Sequence, residues 1–359
     1  MNAPERIRIT HDDVFSPKVD EVLAREGSFG MRPDQMAAMM NTGKKKVNFF
    51  YSSIFYTALA GALGACLGWL IVEPFVFDAD VEGAASGIFD GFWGSVLLIT
   101  VVITPGAVFI GAVEGVASRN WSRALTGAAI GLGVGFGGML VIGTVIELLY
   151  MIMCGIVIVN TGHDLDRPLT YMLLTLCRAL AWAPMGVAIG LAPAIAMRSG
   201  KLAFNGIVGG LLGAFSGGLL FNPLASLFYE GDAWVSRGIG FTAIGLGAGV
   251  MIGLVENLAK TAWLHVQAGA LAGKQFVLYK NPTVLGSSPK CEIYLFKDEA
   301  IEPKHAAIHA YGTRYEIEDL DSPAGTFVNG RKVTRQPLKN GDRIYIGETV
   351  LDFSEKESG

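Results

Sequence analysis

Six apolar runs constrain this chain more than any other feature: roughly 48–72, 93–117, 122–150, 169–197, 202–229 and 235–258. Each is long enough to cross about 30 Å of hydrocarbon as a helix, since a helix rises about 1.5 Å per residue. The third run stays apolar through Met151, Met153, Cys154 and Ile156 to Val159, which leaves open whether it tilts, extends outward or folds back. Residues 48–264 carry only 20 Asp, Glu, Lys or Arg, whereas residues 1–47 carry 15 and residues 265–359 carry 25. The chain is therefore expected to be multi-domain. It divides into a polar N-terminal segment at 1–47, a six-span α-helical transmembrane domain at 48–263, and a soluble domain at 264–359.

Basic residues in the short connections set the expected orientation. Lys44, Lys45 and Lys46 precede the first run, Arg119 and Arg123 follow the second, Arg198 and Lys201 follow the fourth, and Lys260 follows the sixth. The alternate loops hold Glu73, Asp78, Asp80, Glu82 and Asp90, then Asp164 and Asp166, then Glu230 and Asp232. Both termini are thus expected in the cytosol and the protein in a cell (inner) membrane, with the lipid bilayer as one partner. A net charge of −4 argues against a nucleic-acid partner. No h-region of a cleaved signal is visible in the first 46 residues. The four cysteines lack CxxC spacing, so free thiols are expected and no metal site.

Glycine is abundant, at 47 residues, and recurs at four-residue spacing: Gly127, Gly131 and Gly135; Gly209, Gly213 and Gly217; Gly245, Gly249 and Gly253. Such spacing stacks small residues on one helix face and lets backbones approach. Packing within the chain, or between protomers of a homo-oligomer, is one reading; a lined transport path is the other. Pro105 to Gly127 also aligns with Pro184 to Gly206 at a constant offset of 79, with a weaker third copy near Gly245 to Gly253, so three helical hairpins of one design are expected. Charges within the runs are few, and Glu147 and Arg178 stand at similar expected depth, where they are expected to pair; a lone proton-relay carboxylate is the alternative.

From Leu264 the pattern turns to short apolar runs between Gly, Pro, Asn and Asp, the rhythm of a small all-β sandwich. Thr283-Val-Leu-Gly286, Ile301-Glu-Pro-Lys-His305-Ala306, Asp319-Leu-Asp-Ser322-Pro-Ala-Gly325-Thr326-Phe327-Val328-Asn329-Gly330, Leu338-Lys-Asn-Gly341-Asp342 and Ile346-Gly347 follow in order. This succession resembles the forkhead-associated (FHA) domain. The resemblance implies an eleven-stranded sandwich whose loops at one end read phosphothreonine peptides. It also implies structural roles for Gly286, His305, Ser322, Gly325, Thr326, Asn329 and Gly330, with His305 holding loops together.

Three positions depart from the family. Its phosphate-binding Arg falls at Ser287, its phosphate-binding Ser at Glu302, and its peptide-clamping Asn at Ala324. A phosphate would lose charge-assisted donors worth about 1.5–3 kcal/mol each and would face a carboxylate. The module is therefore expected to bind a cytosolic or membrane protein partner without phosphate. Lys290, Lys304 and Arg331 stand nearby in sequence.

Two patterns are set aside. The stretch from Ala268 to Gln275 is one residue short of a phosphate loop and ends in Gln. His305 and His309 have helical ligand spacing but lie in a strand pattern. No nucleophile and base arrangement stands out, so no catalytic site and no cofactor are expected. In the polar head, residues 17–27 and 33–40 are expected to form short helices, and Thr10 with Asp13 has the spacing of FHA-type peptides. The expected function is a membrane scaffold or signalling protein displaying an FHA-type module; the alternative is a channel or transporter regulated through that module.

Overall fold

A computed structural model describes residues 52–76, 91–162, 167–227 and 233–356. The expected helices at 17–27 and 33–40, Thr10 with Asp13, and most of the acidic 73–92 loop lie outside the described residues. The chain divides into two units, one of helices ending at Lys260 and one of strands starting at Thr261.

The helical unit comprises α1 (Ser53–Val76), α2 (Gly91–Ala117), α3 (Trp121–Leu132), α4 (Met139–Asn160), α5 (Pro168–Trp182), α6 (Met185–Met197), α7 (Gly200–Leu227) and α8 (Ala233–Ala259). Among the described residues six helical stretches are long and apolar enough to cross a membrane: Ser53–Phe75, Gly91–Ala117, Trp121–Asn160, Pro168–Met197, Gly200–Phe221 and Arg237–Ala259.

The third stretch settles its open end by staying helical to Asn160, over 40 residues in all. It is continuous but not uniform, since Gly133–Gly138 between α3 and α4 is a π-helical turn. Four of its six residues are glycine, which lack the side-chain contacts that hold a regular helix, and such segments accommodate the wider turn. The expected single fourth helix is instead two, α5 and α6, separated by a turn at Ala183 and Pro184. Pro184 has no N–H to continue the ladder and stands at the N-cap of α6.

Two tight turns are built alike. Arg119 and Arg198 both adopt left-handed backbone, at φ 53° and 50°. Asn120 N–H then donates to Gly115 O at 2.8 Å, and Ser199 N–H to Ala194 O at 3.1 Å. The side chain of Asn120 accepts from Arg123 N–H at 3.1 Å, and that of Ser199 accepts from Leu202 N–H at 3.3 Å, so each caps the helix that follows. Every pair of corresponding residues is 79 positions apart.

The second unit contains eleven strands in two sheets. One sheet has the order β2 (Gln275–Val277), β1 (Ala262–Ala268), β11 (Thr349–Glu355), β10 (Arg343–Ile346), β7 (Thr326–Val328), β8 (Arg331–Val333). The other has the order β4 (Ile293–Tyr294), β3 (Thr283–Gly286), β5 (Ala306–Tyr311), β6 (Arg314–Asp319), β9 (Arg335–Leu338). Only β3 and β4 run parallel; the other recorded pairs are antiparallel. Alternation sends Leu264, Val266, Ile344, Ile346, Leu351 and Phe353 from the first sheet against Leu285, Ile293, Ile308 and Ile317 from the second, in one closed core. β1 begins at Ala262, two residues before the change of pattern read at Leu264.

Candidate functional site

The loops that follow β3, β4 and β6 converge at one end of the sandwich. Gly286 ends β3 where a Cβ would lie 2.3 Å from Pro303 O, so only glycine lets the β4–β5 loop cross so closely. Directly after it, Ser287 N–H donates to Glu302 O at 2.9 Å, which joins two of the three departing positions. Cys291 Sγ donates to Pro303 O at 2.9 Å and adds a second tie to the same loop.

His305 carries the connection to the third position. It is fully buried, accepts from Glu302 N–H at Nδ1 (3.2 Å), and therefore places its ring proton on Nε2, which faces Gly325 O at 3.3 Å. Burial pushes its pKa below the usual histidine value, while the Gly325 carbonyl and Asp319 pull the other way. Ala324, beside Gly325, is thereby brought to the same end as Ser287 and Glu302. The Glu302 backbone is committed to this framework, and the residue itself is exposed to solvent.

Asp319 is the second organiser. It accepts from Ser322 N–H (3.1 Å), Ser322 Oγ (2.6 Å) and Thr326 Oγ1 (2.6 Å). Ser322 and Thr326 are both buried, so their hydroxyls are consumed within the β6–β7 loop. Asn329, at φ 51° in the turn before β8, donates to Asp342 Oδ1 at 2.8 Å and accepts from Arg343 N–H at 2.9 Å. Gly330, at φ 82°, completes that turn. Sequence reading passed over Asp298, which accepts from Ala300 N–H (3.1 Å) and Glu348 N–H (2.6 Å) and so ties the β4–β5 loop to the β10–β11 turn. Its Asp-x-Ala spacing is an Asx-turn signal that was available.

In the helical unit the glycine rows lie against neighbouring backbones. A Cβ at Gly127 would meet Gly111 O at 2.0 Å, one at Gly131 would meet Ala107 O at 2.3 Å, and one at Gly135 would meet Thr104 Cα at 3.1 Å, all on α2. The row of α7 faces α8: Gly209 on Ile252 Cα (2.5 Å), Gly213 on Ala248 Cα (2.2 Å) and Gly217 on Ile244 Cα (2.6 Å). The α8 row faces α1, with Gly245 on Gly61 O (2.2 Å), Gly249 on Thr57 O (2.1 Å) and Gly253 on Ile54 Cα (2.6 Å). That last pairing joins the two ends of the helical unit, while α8 also packs against its sequence neighbour α7.

The expected pairing of Glu147 with Arg178 is replaced by separate partners. Arg178 donates to Tyr150 Oη at 3.2 Å, and its guanidinium lies 5.1 Å from the ring centre of Phe221 and 5.3 Å from that of Trp182. Glu147 is hydrogen-bonded by Ser95 instead. Tyr150 stands three residues beyond Glu147 on α4 and meets the guanidinium, whose planar face suits aromatic rings. A pair the sequence reading missed does form: Arg237 of α8 bonds both carboxylate oxygens of Glu73 on α1, and Trp69 Nε1 donates to the same carboxylate at 2.7 Å. Trp69 and Trp234 stack beside it at 5.8 Å. Arg237, a lone charge at the start of an apolar run, was the available signal.

Comparison with known proteins agrees with the sandwich. The FHA domain family matches residues 283–347. Over 100 residues the chain is 37% identical to the oxoglutarate dehydrogenase inhibitor of Corynebacterium jeikeium, covering 28% of this chain and 69% of that protein. It is 35% identical over 100 residues to the glycogen accumulation regulator GarA of Mycolicibacterium smegmatis, covering 28% of this chain and 63% of that one. The solved FHA domain of the CT664 protein from Chlamydia trachomatis is 28% identical, covers 27% of this chain and 100% of that chain, and superposes with a TM-score of 0.26. The chain therefore belongs to the FHA-domain proteins, as a multi-domain member in which six long apolar helices precede that domain.

Proposed function

We propose that the protein is a multi-pass membrane protein that presents its FHA domain to a protein partner and recognises that partner without phosphate. An FHA domain implies a role in protein interaction or signalling. The six apolar helices support the membrane part of the reading. The phosphate-independent part is carried by one observation: Ser287, Glu302 and Ala324 stand together at the loop end, on an intact framework of His305 and Asp319, and these three positions themselves supply no cation and one exposed carboxylate, the nearby cations being the lysines Lys304 and Lys332. The framework hydroxyls of Ser322 and Thr326 are already bound to Asp319 and are not free to hold a dianion.

The test is a titration of phosphothreonine peptides against residues 261–359, a unit with its own core. No phosphate-selective binding is expected in the native sequence, whereas the combined change Ser287→Arg, Glu302→Ser and Ala324→Asn creates it. Micromolar binding by the native sequence that vanishes on dephosphorylation would overturn the reading. A pull-down with the same unit identifies the unphosphorylated partner.

A further inference from the structure

A groove of about 370 Å³ opens between α1 and α2, lined by Tyr56, Leu59, Leu63 and Ala60 on one side and by Val108, Phe109, Ala112, Val113 and Val116 on the other. Its shape follows from glycine placement. Midway along, the two helices touch backbone to backbone: a Cβ at Gly64 would lie 2.5 Å from Gly106 Cα, and one at Gly68 would lie 2.1 Å from Val102 O. Toward the start of α1 and the end of α2 the facing residues become bulky, so the helices part and a wedge is left. Leu59, Leu63 and Val116 remain 44–50% exposed along it.

We propose that this wedge holds one acyl chain of an anionic phospholipid from the leaflet on the Arg119 side. The proposal rests on the membrane reading given above. Three observations select this occupant. The wedge runs from Val108 to Val116, about 12 Å at 1.5 Å per residue, which is close to the depth of one leaflet of a hydrocarbon core about 30 Å thick. A packed helix is about 10–12 Å across and would not enter a slot that closes on a helix–helix contact, whereas a single hydrocarbon chain would. The mouth is cationic: Arg119, whose N–H donates to the groove residue Val116 at 3.0 Å, is exposed, and Arg123 follows in the first turn of α3. Arg198, Lys201 and Lys260 lie at the same end of the antiparallel helices. Among the described residues of the helical unit the acids at this end are Glu114 and Glu256, and Glu256 is engaged by Ser53 Oγ. Trp121, 72% exposed beside Arg119, has the placement of a headgroup-level anchor.

The test uses the full chain in phosphatidylcholine vesicles that contain a minor fraction of phosphatidylglycerol bearing a diazirine on its acyl chain. After illumination, cross-links are expected on residues 56–63 and 108–116 in excess of those on the exposed α4 face from Val141 to Ile156. Ala112→Trp, which fills the wedge, is expected to abolish the groove cross-links while leaving the α4 background unchanged. If that variant fails to fold, Leu63→Trp at a half-exposed position serves instead. Combined Arg119→Gln and Arg123→Gln is expected to lower the preference for phosphatidylglycerol over a diazirine phosphatidylcholine by on the order of tenfold. Labelling spread evenly over α4 and the groove, labelling insensitive to both tryptophans, no preference between the two lipids, or protein–protein cross-links through the groove would each overturn the proposal. A chain recovered outside the vesicle fraction would instead defeat the membrane reading, and the lipid site with it.

Discussion

Glu302 N–H donates to His305 Nδ1 at 3.2 Å, and this one bond fixes which nitrogen of the neutral, buried imidazole carries the proton. A second proton on the ring would remove the acceptor and place a charge in a fully buried site. Folding thus holds the pKa of His305 below its unfolded value, and the unfolded chain binds more protons in the interval between them. The stability from the neutral ring is present above about pH 6.5 and is lost as the pH falls toward the depressed folded value. His265 on β1 is shifted in the same direction by burial and adds to the effect. Melting of residues 261–359 followed by circular dichroism should show a midpoint that drops on acidification below about pH 6.5, with a shallower drop in His305→Gln. Equal slopes in both proteins would assign the pH dependence elsewhere.

Asp319 accepts from two buried hydroxyls and one backbone N–H, so Asp319→Ala leaves several donors without a partner at once. The expected loss in urea unfolding is about 3 kcal/mol, against about 1 kcal/mol for Ser322→Ala, which removes a donor together with its need. A loss under about 1 kcal/mol for Asp319→Ala would mean that solvent replaces the carboxylate there.

Glycines on a single helical stretch should respond differently. Gly131 has Ala107 O where its Cβ would be, whereas Gly133, two residues on, has nothing within 4 Å. Gly131→Leu should destabilise the helical unit by about 2 kcal/mol or more, because the obstruction is backbone and cannot rotate away. Gly133→Leu should be close to neutral, since no neighbouring atom stands within 4 Å of its Cβ position. Thermal scans in detergent compare them, and similar midpoints for both variants would contradict the packing.

Orientation is tested with single cysteines and an impermeant thiol reagent on whole cells. Ser122→Cys, exposed in the first turn of α3, should be protected, and Ser86→Cys in the acidic loop should react. The reverse pattern would invert the expected topology.

Much of this architecture could be read from residues, and the exceptions have physical causes. The sandwich was legible because Gly-Thr-Phe-Val-Asn-Gly at 325–330 encodes a strand and the left-handed turn that leads into the next one in consecutive letters. The six apolar runs were legible because nothing but length and lack of charge is required of them. The break at Pro184 was missed because a proline within an apolar run either kinks a helix or ends it, and Pro105, at the aligned position, stays inside α2. The partners of Arg178 were missed for a different reason: depth along a helix can be counted, but the direction of a side chain across a bundle depends on the helices beside it. The three loop positions were found only through the family resemblance, since Ser287, Glu302 and Ala324 have no spacing pattern of their own.

Gly61 of α1 and Gly245 of α8 press backbone to backbone although 184 positions separate them. On the ribosome α1 is therefore made long before the surface it is shaped to meet. Through the synthesis of seven later helices, the glycine-bearing face around Thr57 and Gly61 must stand against lipid, a chaperone or a provisional neighbour. Only the arrival of α8 covers that face, so this closure is expected to be a late event in assembly, and truncation within α8 should leave the Thr57–Gly61 face of α1 bare while its contact with α2 at Gly64 and Gly68 stays in place.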